Sequence, residues 1–264
     1  MSSTTTNEGD MPPGFFIVAR EPGAEHPALP TWANREKDPA HLAGRADGPV
    51  VLRPITSVPG AFHLLNVLSR EECESIVKLT EGLGYLPDAA VSLPRSVRHN
   101  DNVTWVADQQ TVDQLWLRCE PLLTDLEHQH FGKPAVGLNA RFRFYRYSVG
   151  DYFKPHTDGA WPGSAVIDDQ LITDAYGDRY SQLSFVLFLS DGFDGGRTEF
   201  FVDRDQPQQP ARDPNRAKIV QVETPIGAAI CFPHGLHPLH CLHSSETITR
   251  GTKYIVRTDI LCAL

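Results

Sequence analysis

Hydrophobic residues follow two successive periods along this chain, and the change between them falls near residue 140. In the first half, Ser69 and Glu72 form a reciprocal capping pair, and Cys73, Ile76 and Val77 continue at helical spacing. Gly82 and Gly84 end that helix. A second helix is expected to open at Thr111 with Gln114 as its cap partner. It carries Val112, Leu115, Trp116, Cys119, Leu122 and Leu126 on one face, with Pro121 as a kink. From residue 140 the period shortens to two. Strands are expected over 140–148, 182–190, 197–202, 218–223, 227–233, 238–243 and 252–261, many separated by Gly, Pro or Asp clusters. Two amphipathic helices followed by many short strands predict an α+β fold, a β-sandwich or jelly roll with its helices packed on one face.

Residues 1–58 are rich in Pro, Gly, Ser and charge, and read as an irregular N-terminal arm with extended pieces at 15–18 and 50–52. Residues 59–264 form the expected main domain, and a chain of 264 residues with 41% hydrophobic content supports one sizeable core. The net charge of -9 argues against a nucleic-acid partner, which needs a concentrated basic surface. No apolar run approaches a membrane span, and residues 1–14 lack a cationic start followed by an apolar stretch. Five scattered cysteines without a CxxC pair fit free thiols in a reducing cytoplasm better than a disulfide framework. Nothing in the sequence assigns an oligomeric state.

Chemistry concentrates at Lys154-Pro-His156-Thr-Asp158-Gly159, at His243 and at Lys253. Strand alternation directs side chains at i and i+2 to one face, so His156 and Asp158 can reach one ion. Two imidazoles and one hard carboxylate make a facial triad suited to Fe(II), with positions left open. The third ligand must return late in the chain. His234, His237, His240 and His243 all crowd that region, and Pro233, Gly235 and Pro238 exclude a regular helix there. His243 is preferred because Lys253 follows ten residues later, with His240 in reserve. A solvated turn is the ordinary explanation of an HxD pair taken alone. In the last strand Lys253 and Arg257 share one face, and around 140–148 so do Arg141, Arg143, Tyr145 and Tyr147. Facing inward, these would form a pocket for a small dicarboxylate; two exposed faces would look the same.

The runs Tyr147-Ser-Val-Gly150-Asp-Tyr-Phe-Lys-Pro-His156-Thr-Asp158, Asp194-Gly195-Gly196-Arg197-Thr198-Glu199-Phe200, Gly227 to Pro233 and His243…Gly251-Thr-Lys253 resemble the 2-oxoglutarate/Fe(II)-dependent oxygenases, closest to the prolyl 4-hydroxylase-like branch. The resemblance covers residues 60–262. It implies a double-stranded β-helix, iron held by His156, Asp158 and His243, and 2-oxoglutarate bound by Lys253 with help from Tyr147. It also implies O2 as cosubstrate, stimulation by ascorbate, and no catalytic residue beyond the metal ligands. Arg98 and Asn100 match a segment that faces substrate in such enzymes, whereas Arg257 has no counterpart role. The insertion at 159–181, with Trp161, Tyr176 and Tyr180, departs from the family pattern and reads as a long structureless loop, a kind of segment that often serves as a lid.

The implied activity is hydroxylation of an unactivated C–H bond on a prolyl or other protein or peptide residue, or on a small metabolite. Halogenating relatives replace the carboxylate ligand with a small residue, and this chain keeps Asp158. Two other readings stay open: a cupin-like metal enzyme that does not use 2-oxoglutarate, and a non-catalytic binding protein of the same fold. Substrate identity is not written in the fold or the metal set.

Overall fold

A computed structural model of the chain describes residues 12–42, 48–90, 93–124 and 133–264. Strands β1 (Phe15–Glu21), β2 (Leu29–Asn34), β3 (Val51–Pro54) and β4 (Phe62–Leu65) precede helix α1 (Arg70–Leu83). Strands β5 (Arg98–His99) and β6 (Asp101–Val106) lead to helix α2 (Gln109–Leu123). Then come β7 (Ala135–Leu138), β8 (Arg141–Tyr147), β9 (Tyr152–His156), the hairpin β10 (Ala165–Ile167) and β11 (Gln170–Ile172), and β12 (Arg179–Phe188). The last third holds β13 (Asp194–Gly195), β14 (Thr198–Asp203), β15 (Ala217–Val222), β16 (Ala229–Pro233), β17 (His243–Ser245), β18 (Ile248–Arg250) and β19 (Lys253–Ala263).

Two sheets make the jelly roll. The major sheet runs β1-β2-β6-β8-β19-β12-β16-β4-β3, with β7 also on β19, and the minor sheet runs β15-β14-β17-β9-β5. Pairing is antiparallel except between β2 and β6. Alternation on the central strands feeds two cores. Phe142, Phe144, Phe185 and Val256 turn outward and meet Cys73 and Ile76 of α1 and Leu115 and Cys119 of α2. Tyr145, Tyr147, Val186 and Ile255 turn inward and meet Phe200 of the minor sheet. Helices therefore cover one face of the major sheet and the minor sheet covers the other, as the sequence predicts.

Helix α1 starts as its sequence dictates: Ser69 accepts from the Glu72 amide, and the Glu72 carboxylate accepts from the Ser69 amide. Gly84 follows its end at a φ of 86°, while Gly82 lies within the last turn. Glu72 also receives Arg118 of α2 at 2.6 Å, a buried bridge between the helices. Helix α2 begins two residues earlier than expected. Its cap is Asp108, not a Thr111–Gln114 box, because the Asp108 carboxylate accepts the Thr111 amide at 3.1 Å and its hydroxyl at 2.5 Å. Pro121 lies inside the helix as predicted, and Leu126 is outside the described residues. Asp108 further accepts from Asn34 and from the Asp38 amide. Asp108→Ala is therefore expected to lower stability by about 2 kcal/mol, the upper end of cap losses, measurable as a reduced urea midpoint at unchanged m-value.

Three further differences have local causes. β1, β2 and β3 within residues 1–58 extend both edges of the major sheet, and Phe15 packs edge-on to Trp105 at 5.4 Å. β1 and β3 fall on the extended pieces expected at 15–18 and 50–52, a bulge between Ile17 and Ala19 breaking the alternation of β1, and only β2 has no counterpart in the sequence reading. Within 159–181, β10 and β11 pair across Asp168 and Asp169, whose positive φ values of 51° and 58° give a two-residue hairpin turn where a structureless loop was expected. The stretch expected as a strand at 238–243 is a run of turns, in which the His237 amide reaches the His234 carbonyl and the His240 amide that of His237. Only His243 onward becomes extended. All five cysteines are free and buried. Among the described residues, no helix is long and apolar enough to cross a membrane.

Candidate metal centre and adjoining cavity

His156 ends β9 and His243 begins β17, and the two stand directly opposite each other in the minor sheet. Asp158 follows two residues after His156 and turns to the same side. The three side chains bring one donor atom each within 4.8 Å of one another. The Asp158 carboxylate lies 3.7 Å from His156 Nε2 and 3.7 Å from His243 Nε2. These gaps are too long for hydrogen bonds, yet two metal bonds of roughly 2 Å span them.

The surroundings orient both rings. His156 Nδ1 meets the Lys154 carbonyl at 2.8 Å, and His243 Nδ1 meets the Cys241 carbonyl at 3.2 Å. Each Nδ1 thus carries its proton toward a carbonyl, leaving the Nε2 lone pair for a metal. Burial, then His243, pushes His156 down to about 3, and burial also lowers His243. Burial alone would raise Asp158, but Arg257, then His243 and His156, hold its carboxyl well below the usual range. The donor set is therefore neutral imidazole, neutral imidazole and carboxylate, which fits Fe(II).

Asp158 is also fixed from behind. Arg257 Nη1 reaches Oδ1 at 2.9 Å and Ser184 Oγ donates to Oδ2 at 2.6 Å. His234 stands between Ser184 and Ser181, 2.9 Å from each hydroxyl. The loop carrying His234 approaches closely because Gly235, at a φ of 58°, donates to the Asp158 carbonyl, and a Cβ there would come within 2.4 Å of Ala160 Cβ. Ser181 and Ser184 escaped the sequence reading, since a serine on an apolar strand gives no spacing signal, and His234 was weighed there only as a possible ligand. Their placement also distinguishes the histidines: His234 supports Asp158, His240 bonds the His237 carbonyl, and His243 alone of the four joins the triad.

A cavity opens from the triad, lined among others by Tyr145, Tyr147, Ser245, Lys253 and Arg257. The Lys253 ammonium is buried, donating to the Gly196 carbonyl at 2.5 Å and to Ser245 Oγ at 3.1 Å, with the Tyr147 and Phe188 rings about 5 Å away. Gly196 takes a φ of 67°, and a Cβ there would press on Ile248 and on the Lys253 stem. Burial pushes Lys253 down to about 7. In the register of β8 and β19, Lys253 pairs with Tyr147, Ile255 with Tyr145 and Arg257 with Arg143, so the cationic and phenolic faces turn inward. Asn100 is wholly enclosed beside the Tyr147 hydroxyl, and Arg98 lies over the Tyr145 and Phe153 rings. Neither is among the residues lining the cavity: both lie behind the Tyr145, Tyr147 and Phe153 side chains that do line it.

The same two-sheet arrangement recurs among solved structures. A prolyl-4-hydroxylase from Pseudomonas putida superposes with a TM-score of 0.50 at 16% identity, covering 76% of this chain and 92% of its own. A prolyl hydroxylase from Trichoplax adhaerens, in complex with a hypoxia inducible factor oxygen degradation domain peptide fragment, gives 0.50 at 12% identity, covering 78% of this chain and 83% of its own. The chain has the fold of the prolyl hydroxylases. No protein-family model and no curated protein matches the sequence.

Proposed function

We propose that this protein is a 2-oxoglutarate- and Fe(II)-dependent dioxygenase that hydroxylates an unactivated C–H bond. The observation that carries the reading is that His156, Asp158 and His243, with donor atoms close enough to share one ion, line the same cavity as the buried Lys253. His156, Asp158 and His243 would hold the iron, and Lys253 would receive the remote carboxylate of 2-oxoglutarate. Tyr147, whose phenol burial pushes up and keeps neutral, would stand beside that carboxylate as a hydrogen-bond donor. Asn100 would position Tyr147. Bound iron would supply dioxygen activation coupled to decarboxylation of 2-oxoglutarate to succinate, with one oxygen atom passing to the substrate.

The protein's own contribution is arrangement. Arg257 and Ser184 keep the Asp158 carboxylate ionised and aimed, the two backbone carbonyls keep the imidazole tautomers, and apolar walls keep water scarce around Lys253. No proton-transfer residue is required of the chain. A prolyl or other peptide residue is one substrate option, in line with the named neighbours, and a small metabolite is the other. Purified protein supplied with Fe(II), O2, ascorbate and 2-oxoglutarate is expected to form succinate across a peptide and metabolite panel, with a low uncoupled rate when substrate is omitted. Indifference of the iron-loaded protein to 2-oxoglutarate would refute the reading.

A further inference from the structure

Beyond Arg257, on the side away from Lys253, the inward face of β8 carries one more cation, Arg143. It is only 7% exposed. It makes no hydrogen bond or ion pair among the described residues; the Trp161 ring lies 5.0 Å from its guanidinium carbon, and Asp259 and Glu21 attract it only from beyond contact. Its direct cross-strand partner is Arg257, another guanidinium. Like charges opposed across two strands repel, and a buried cation without an anion is costly. Burial, then Arg257, lowers Arg143 to about 10.

Glu21, Asp158 and Asp259 match the three guanidiniums of this face in number, but each is engaged elsewhere and none makes an ion pair with Arg143. Arg141, the next residue on that face, is taken by Glu21 at 2.7 Å. The Asp158 carboxylate belongs to the triad and to Arg257. Asp259 gives Oδ1 to Arg257 at 3.0 Å, and the same oxygen lies 3.7 Å from His234. Arg257 Nε and Asp259 Oδ2 are buried with no partner among the described residues. Trp161 is held over this corner because its amide donates to Ser181 Oγ and its carbonyl accepts from the Ser181 amide. The adjoining chain is tied down by Asn139, which reaches the Pro162 carbonyl and the Ser164 amide. Arg257, which stands opposite Arg143 across the strands, contacts Asp158 at 2.9 Å, so Arg143 is one residue removed from the triad.

We propose that Arg143, with Arg257 beside it and Trp161 above, receives a carboxylate of the substrate, so that the enzyme acts on an acid. This deepens the function proposed above and rests on it for the identity of the reaction. Lys253 and Arg143 then hold the two ends of the inner face, one for the cosubstrate and one for the substrate, with the triad between. A guanidinium offers a carboxylate two parallel hydrogen bonds, and Trp161 supplies a flat apolar cover.

The test uses the full chain loaded with Mn(II), without oxygen, in isothermal titration. Binding of 2-oxoglutarate is read first, and its absence faults the reading of the cosubstrate site, not that of Arg143. With 2-oxoglutarate saturating, the probes are acetate, benzoate, proline and a tetrapeptide ending in proline, each beside its amide, together with inorganic phosphate. At least one acid is expected to bind about tenfold or more tightly than its amide, and free acid against peptide shows which source of carboxylate fits. Arg143→Gln is expected to erase that preference, and its Tm should not fall, because it removes an unpaired buried charge. Equal binding of every acid and its amide to the wild type, retained preference in Arg143→Gln, or phosphate displacing all the acids would overturn the proposal. The wild-type comparison needs no variant to fold.

Discussion

Replacing His243 by alanine is expected to abolish 2-oxoglutarate turnover and to weaken Fe(II) binding by more than about a hundredfold, since even outer hydrogen-bond partners of a metal ligand are worth ten- to a hundredfold. The fold should tolerate the change, because the His243 ring bonds only the Cys241 carbonyl. Asp158→Ala should lose metal to a similar degree but behave differently without it. That carboxylate takes Arg257 at 2.9 Å and Ser184 at 2.6 Å, both buried. Removing one partner of a buried ion pair costs about 3–5 kcal/mol, and Asp259 can retain only part of Arg257. Anaerobic Fe(II) titration and urea denaturation of the two metal-free variants separate these effects. Equal stability of both would mean that the Arg257 contact is energetically idle.

Lys253→Met is expected to raise the KM for 2-oxoglutarate on the order of a hundredfold. Its Tm should hold or rise, because the ammonium is buried without a carboxylate in contact. The same residue predicts a pH dependence. Burial holds Lys253 near 7 in the free protein, and a bound carboxylate favours the charged amine. Below pH 7 the lysine is already protonated and affinity is flat with respect to this group. Above pH 7, binding must take up a proton, so affinity should fall by about tenfold per unit until the pKa of the complex is reached. Titration calorimetry in buffers of different ionisation enthalpy reads this uptake directly. Lys253→Met should show none, and wild-type binding independent of pH between 7 and 9 would place the anchor elsewhere.

How far the site was legible follows from which signals are local. His156 and Asp158 announce themselves because period-two alternation brings them to one face. Lys253, Arg257 and the Arg141-to-Tyr147 series do so for the same reason. The cap of α1 is legible because both of its hydrogen bonds lie within four residues. The cap of α2 misled because Asp108 competes with Thr111 three residues later, and its further partners Asn34 and Asp38 are some seventy positions away. Ser184 and Ser181 are silent in sequence, and His234 is visible there only as a candidate ligand, for a related reason: their support of Asp158 exists only once β12 and the 234–237 loop meet at that residue. The histidine run has a three-residue spacing shared by a helix and by consecutive turns, and Pro233, Gly235 and Pro238 decide for the turns. Among the edge strands of residues 1–58, β1 and β3 coincide with the extended pieces at 15–18 and 50–52, while β2 is placed by Trp32 lying beside Trp105 across two strands.

The most direct measurement is a crystal structure of the protein with Fe(II) and 2-oxoglutarate, grown without oxygen and recorded at the iron absorption edge. The account predicts one anomalous peak bonded to His156 Nε2, His243 Nε2 and an Asp158 carboxylate oxygen, with the cosubstrate running from that peak to Lys253 Nζ. Iron bound away from those three atoms, or 2-oxoglutarate lying clear of Lys253, would contradict it.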